Sequence, residues 1–143
     1  MTLKPIGTVK NKIGQSDQRQ REEVVSEIVM DSRLTEALEG LGEFSHIIVL
    51  YWMHRVSEDE RPLKVHPMRR QELPLTGVFA TRAQSRPNRI GITTVRLLER
   101  DGNTLRVKGL DAVDGSPVVD IKPYIPTADL VADNKVPQWI TNR

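Results

Sequence analysis

Cysteine is absent from the 143-residue chain, and aromatic residues are scarce: two each of Phe, Trp and Tyr. Without a thiol there is no disulfide, no zinc ribbon and no thiolate nucleophile. The histidines, His46, His54 and His66, show no HExxH or HxH spacing, so no metal is expected. No apolar run approaches ~18 residues, which excludes a membrane-spanning helix. Met1 to Lys10 lacks the apolar stretch of a secretory signal. The expected compartment is therefore the cytoplasm, with no membrane partner. Nucleotide-binding signatures are missing as well. There is no P-loop, and the close glycine pair Gly40-Leu41-Gly42 precedes a strand instead of opening a helix, the reverse of a dinucleotide fingerprint. No GxSxG turn presents a serine nucleophile.

What is present reads as one globular domain spanning 1–143. Hydrophobic residues make up 38% and charged residues 28%, and a domain near this size buries roughly two-thirds of the surface its unfolded chain exposes. The net charge of +2 conceals an asymmetry. Between Arg61 and Lys108 stand nine arginines and two lysines against Glu72, Glu99 and Asp101, a net +8 that leaves −6 for the remainder. Such a block suggests a surface aimed at a polyanion. The 14 arginines outnumber the 7 lysines, a weak tilt toward phosphate gripping and base stacking.

Short strands dominate the pattern. Pro5 to Lys10 and Val24 to Met30 read as strands, and Asp31 or Ser32 can cap a short helix through Leu41. Ile47 to Trp52 is a continuous apolar run that suits a central strand buried on both faces. Ser57 to Pro74 reads as a long loop and Thr76 to Thr81 as a short apolar strand. Ile92 to Arg100 and Thr104 to Lys108 flank Asp101-Gly102-Asn103, a strong hairpin signal. On that hairpin Val95, Leu97, Leu105 and Val107 are expected inside, with Arg96, Arg100, Arg106 and Lys108 outside. Asp114-Gly115 makes a second turn before Val118 to Lys122, and an irregular tail begins at about 127. The fold class is all-β or β-rich: a single small barrel with one or two short helices. Phe44, Tyr51, Trp52 and Phe79 read as core.

Two segments can carry chemistry. Gly77 to Gly91 runs from a short apolar strand into a loop bearing Arg82, Gln84, Ser85, Arg86, Asn88 and Arg89. Fixed donors beside rigid strands suit phosphates, carboxylates or base edges; the alternative is a solvated connection. Gly109 to Tyr124 places Asp111, Asp114 and Asp120 near Lys122 and Tyr124. Asp-Gly is also what a tight turn prefers, and Asp111 and Asp120 could instead serve ion pairs.

These blocks, GVFATRAQSRPNRIG and LDAVDGSPVVDIKPYIP, with FSHIIVLYWMHR before them, resemble the TsaA-like (TrmO) family over Ile6-Gly7 to Pro126. The resemblance implies a β-barrel methyltransferase that acts as a homodimer, with its cofactor near the subunit interface. It transfers a methyl group from S-adenosyl-L-methionine to N6 of threonylcarbamoyladenosine in the tRNA anticodon loop, at position 37. By the same resemblance the cofactor would be bound by Arg19, Gln20, His54, Arg55, Arg82, Leu110 and Asp111. Gln18 stands where the family has proline, and Arg55 where some relatives have glutamine. Arg86, Pro87 and Asn88 match the family's RPN, while Arg89 replaces a frequent proline. Arg86, Asn88, Arg89, Lys122 and Tyr124 are the expected substrate contacts, with Tyr124 and then Trp139 as stacking platforms. The catalytic base stays open among Asp111, Asp114 and Asp120. The alternatives are a non-enzymatic RNA-binding barrel and a methyltransferase acting on another substrate.

Overall fold

The computed structural model describes residues 1–12, 21–54 and 62–141. Six strands, β1 (Gly7–Lys10), β2 (Val25–Met30), β3 (His46–Trp52), β6 (Ile90–Asp101), β7 (Thr104–Lys108) and β8 (Pro117–Pro123), close into an antiparallel barrel in the order β1-β2-β7-β6-β3-β8. The short pair β4 (Lys64–Val65) and β5 (Thr76–Gly77) stands apart, within the connection from β3 to β6. One-turn helices α1 (Pro126–Asp129) and α2 (Gln138–Thr141) lie in the tail. The described residues contain no helix long and apolar enough to cross a membrane, and no group of three or more histidines and acids able to hold a metal ion.

The two-residue side-chain period of a strand fills this barrel. Val9, Ile28, Ile47, Val49, Tyr51, Val95, Leu105, Val107 and Val118 form the interior. Leu38 is part of the same core from the β2–β3 connection, as are Leu110 and Ala112 from the β7–β8 connection. Burying a side chain such as Leu110 contributes on the order of 2 kcal/mol, so the connections are anchored by the same hydrophobic effect as the strands. Closure occurs at Gly7, which pairs with both Met30 and Val118. A Cβ there would sit 2.9 Å from the Val29 carbonyl oxygen, so the seam requires glycine.

Several sequence expectations change in detail. β3 is central between β6 and β8, yet its faces alternate: Ile47, Val49 and Tyr51 are buried, whereas Ile48, Leu50 and Trp52 are half-buried on the outer wall. The helix after Asp31 is a 3₁₀ turn over Ser32–Leu38. Asp31 does cap it, accepting from the Arg33 N–H, and its side-chain bonds to Arg33 hold its carboxyl down at about 2. Thr76 to Thr81 is extended only at β5, then becomes a 3₁₀ turn over Val78–Ala80. The β6–β7 register shifts between Leu97 and Glu99. That shift moves Arg100 from the expected outer face to a position opposite buried Leu105, where its guanidinium reaches the carbonyls of Gly102 and Thr35. Two aromatics read as core are not: Phe44 is exposed, and Phe79 is 79% exposed.

Candidate functional site

Strand direction divides the connections unequally. β1, β3 and β7 end at one rim of the barrel, where β2, β6 and β8 begin. Of the described residues, 11–12, 21–24, 53–54, 62–89 and 109–116 therefore belong to the connections at that rim. The opposite rim carries residues 31–45 and the tight Gly102-Asn103 turn. His54, Arg82, Arg86, Asn88, Arg89, Leu110, Asp111 and Asp114 belong to the first rim. Arg19, Gln20 and Arg55 lie outside the described residues.

The 109–116 connection is fixed from below by polar groups of the barrel. The Tyr51 hydroxyl donates to the Asp111 carbonyl at 2.8 Å. Asn11 Nδ2 donates to the Ala112 carbonyl and to Ser26 Oγ, both at 2.9 Å, and the Asn11 N–H donates to Asp114 Oδ1 at 3.0 Å. The Gly115 N–H donates to the Val9 carbonyl at 2.8 Å. Leu110 and Ala112 point into the core while Asp111 and Asp114 are exposed, an alternation that lines the rim with carboxylates. Because the Leu110 side chain is fully buried, it has only backbone groups to offer a ligand at the rim. Gly115 has φ of 84°, and a Cβ there would lie 3.7 Å from His54 Nε2. The end of β3 and the Asp114-Gly115 turn thus meet, bringing His54 against the acidic segment.

The second segment is organised by its own side chains. Arg86 Nη1 donates to the carbonyls of Thr81 and Ala83 at 3.0 and 2.9 Å, and Thr81 Oγ1 donates to the Val78 carbonyl at 2.9 Å. Arg86 therefore shapes the loop it was expected to project from. Arg89 is only 4% exposed, with its guanidinium carbon 5.8 Å from the Trp52 ring centroid, a cation–π arrangement. Its carbonyl accepts from the Met53 N–H at 2.8 Å, joining this loop to the end of β3. Arg82 and Asn88 remain exposed.

The remaining candidates are placed elsewhere. Asp120 lies opposite Leu50 on the outer wall of β8 and pairs with Lys122 at 3.0 Å. Lys122 lies opposite Ile48, and the Tyr124 N–H donates to the His46 carbonyl at 3.1 Å, at the opposite rim. The structure does not bring Lys122 or Tyr124 to the rim that gathers the other candidates. Asn11 and Tyr51 hold that rim together, and sequence reading did not assign either to the site. Asn11 sits in a polar stretch without a motif, and Tyr51 in an apolar run. Only the hydroxyl on a residue of that run could have signalled a buried polar task.

Residues 8–130 match the model of the tRNA-methyltransferase O N-terminal domain family. An S-adenosyl-L-methionine-binding protein of Archaeoglobus fulgidus is 44% identical over 135 residues, which are 92% of this chain and 94% of that one. The tRNA (adenine(37)-N6)-methyltransferase of Escherichia coli is 43% identical over 102 residues, 68% of this chain and 43% of its own length. The crystal structure of TrmO from Pseudomonas aeruginosa superposes with a TM-score of 0.76 at 34% identity, covering 94% of this chain and 60% of that one. The chain thus spans nearly all of the archaeal relative and about half of the methyltransferases it matches.

Proposed function

The chain belongs to the tRNA-methyltransferase O N-terminal domain family, and from this we propose that it transfers a methyl group from S-adenosyl-L-methionine to N6 of adenosine 37 in tRNA, with threonylcarbamoyladenosine as the base it acts on. The observation that carries the proposal is the gathering of His54, Arg82 and Asp111 at one rim, on connections fixed by the barrel's Tyr51 and by the loop's own Arg86.

The donor set fits the cofactor. A methionine-derived zwitterion with ribose hydroxyls needs groups of both signs, and the rim presents Asp111 with Arg82. Arg82 would take the carboxylate, Asp111 the ammonium or hydroxyl groups, and His54 would lie alongside. When bound, S-adenosyl-L-methionine supplies an electrophilic methyl on a sulfonium. The chain's own contribution is to hold the acceptor nitrogen in line and to accept the N6 proton. Asp120 is ion-paired on the outer wall, away from the rim, so the base role falls to the rim carboxylates Asp111 and Asp114. Exposed Asn88 would meet the substrate, with Arg86 and Arg89 keeping its loop in shape. A tRNA substrate would go with a cytoplasmic location.

Incubation with S-adenosyl-L-methionine and tRNA containing or lacking threonylcarbamoyladenosine, followed by nucleoside mass spectrometry, tests the reaction. Methylation of the modified tRNA alone is expected. Methylation of both removes the requirement for the modified base, and methylation of neither overturns the activity. Arg82→Ala is expected to weaken cofactor binding by roughly tenfold or more, since a charge-assisted bond contributes about 1.5–3 kcal/mol. Unchanged affinity by calorimetry would remove Arg82 from that role.

A homodimer is part of the proposal. The outer wall of β3 and β6 pairs Leu50 with Ile92 and Trp52 with Ile90, and Ile92 is 43% exposed. An apolar wall on a small barrel is a natural subunit contact. Light scattering is expected to give twice the chain mass for the native protein and a monomer for Ile92→Glu. A native monomer would discard the dimer.

A further inference from the structure

We infer that Phe79 is a platform on which a base of single-stranded RNA stacks beside the rim. This rests on the tRNA substrate proposed above and names a part of the protein that would contact it.

The other five aromatics are committed or distant. Tyr51 is in the core and Trp52 lies beneath Arg89. Phe44 and Tyr124 belong to the opposite rim, and Trp139 is half-buried in α2. Phe79 alone among them is both on the rim connections and 79% exposed. Its turn is not loose. The Val78 side chain beside it is buried, the Val78 N–H donates to the Leu63 carbonyl at 3.0 Å, and both the N–H and the hydroxyl of Thr81 donate to the Val78 carbonyl. A pinned turn therefore displays an aromatic face to water, with Leu63, whose carbonyl the turn holds, and Leu75, four positions before Phe79, also exposed.

Charge selects the occupant. Residues 62–89 carry Lys64, Arg69, Arg70, Arg82, Arg86 and Arg89 against Glu72, a net +5. A second copy seated here across a two-fold axis would oppose this segment with itself, like charge to like. A polyanion is instead attracted. Unstacked bases on aromatic faces beside cationic groups are how proteins hold single-stranded RNA. Lys64 of β4 pairs with Gly77 of β5, which puts a cation on the strand beside the one leading into the Phe79 turn, for a flanking phosphate.

The test measures tRNA binding, cofactor binding and mass for Phe79→Ala and Phe79→Trp. Phe79→Ala is expected to weaken tRNA binding by about tenfold, while Phe79→Trp retains it. Cofactor affinity and mass should stay native. The slope of log affinity against log salt should also be unchanged, since no phosphate contact is removed. Native tRNA affinity in Phe79→Ala overturns the inference, and so does a loss of mass, which would make a second copy the occupant. Binding requires no turnover, so the two readings fail separately. Phe79-dependent binding without methylation sinks the catalytic proposal, and methylation indifferent to Phe79 sinks the platform.

Discussion

Gly91→Ala should lower the melting temperature by about 10 °C, a loss of about 3 kcal/mol for a chain of this size. In the β3–β6 register Gly91 lies directly opposite Tyr51, and the tyrosine ring covers it. A Cβ at Gly91 would approach Tyr51 Cε2 to 2.5 Å and Cζ to 2.7 Å, distances no relaxed packing sustains. The ring cannot retreat freely, because it is buried and its hydroxyl donates to the Asp111 carbonyl and meets Thr93 Oγ1 at 3.1 Å. Displacing it must pull the hydroxyl from Asp111. Gly91→Ala is therefore expected to weaken S-adenosyl-L-methionine binding as well as the fold. Gly77→Ala is the control, since nothing lies within 4 Å of a Cβ there. Tyr51→Phe separates the two effects by keeping the ring and deleting the donor. It should cost about 1 kcal/mol with a larger proportional change in cofactor affinity. If Gly91→Ala unfolds with native stability in a thermal scan, the ring over the glycine does not constrain the barrel.

The barrel itself was legible because its signals are local. Asp101-Gly102-Asn103 announces a hairpin, and the alternation of Val95, Leu105 and Val107 with charged neighbours identifies an inner face. What was not legible depends on which neighbour covers a side chain. Phe79 has the hydropathy of a core residue and Arg89 the charge of a surface donor, yet their burial is the reverse. Arg89 finds Trp52 across the β3–β6 pair, a partner 37 positions away that no local pattern names. Arg100 was misplaced for a different reason. A single register shift beyond Leu97 inverts every face that follows. Lys122 and Tyr124 stand close in sequence to Asp111, but Lys122 is near the far end of β8 and Tyr124 just beyond it. At roughly 3.3 Å per residue a strand of this length carries the chain about 20 Å, from one rim to the other. Adjacency along an extended strand is separation in space. The candidate site was thus legible where its residues sit on connections, and illegible where a strand divides them.

Asn11→Ala is expected to have the second large effect, and it acts on the rim instead of the core. One residue joins the end of β1, β2 and the β7–β8 connection: Nδ2 donates to the Ala112 carbonyl and to Ser26 Oγ of β2, and the backbone N–H, which alanine keeps, donates to Asp114. Ser26 is buried, so its hydroxyl and the Ala112 carbonyl lose this donor where water has little access. Each such loss costs about 1–3 kcal/mol. The β7–β8 connection should then shift while the strands remain paired, lowering the melting temperature by about 5–10 °C with a disproportionate loss of cofactor affinity. Asn11→Asp sharpens the test. It replaces the donor with a carboxylate beside Asp114 and facing a carbonyl, so at neutral pH it should be more damaging than alanine. That added defect comes from a charge the folded state disfavours. Relative to the native protein at the same pH, it should therefore shrink as pH falls through the carboxylate range. Calorimetric titration of S-adenosyl-L-methionine against both variants decides the matter. Native affinity in Asn11→Ala, with stability lowered, would mean that the geometry of residues 111–114 does not set the cofactor site, and Asp111 would lose its place in the mechanism.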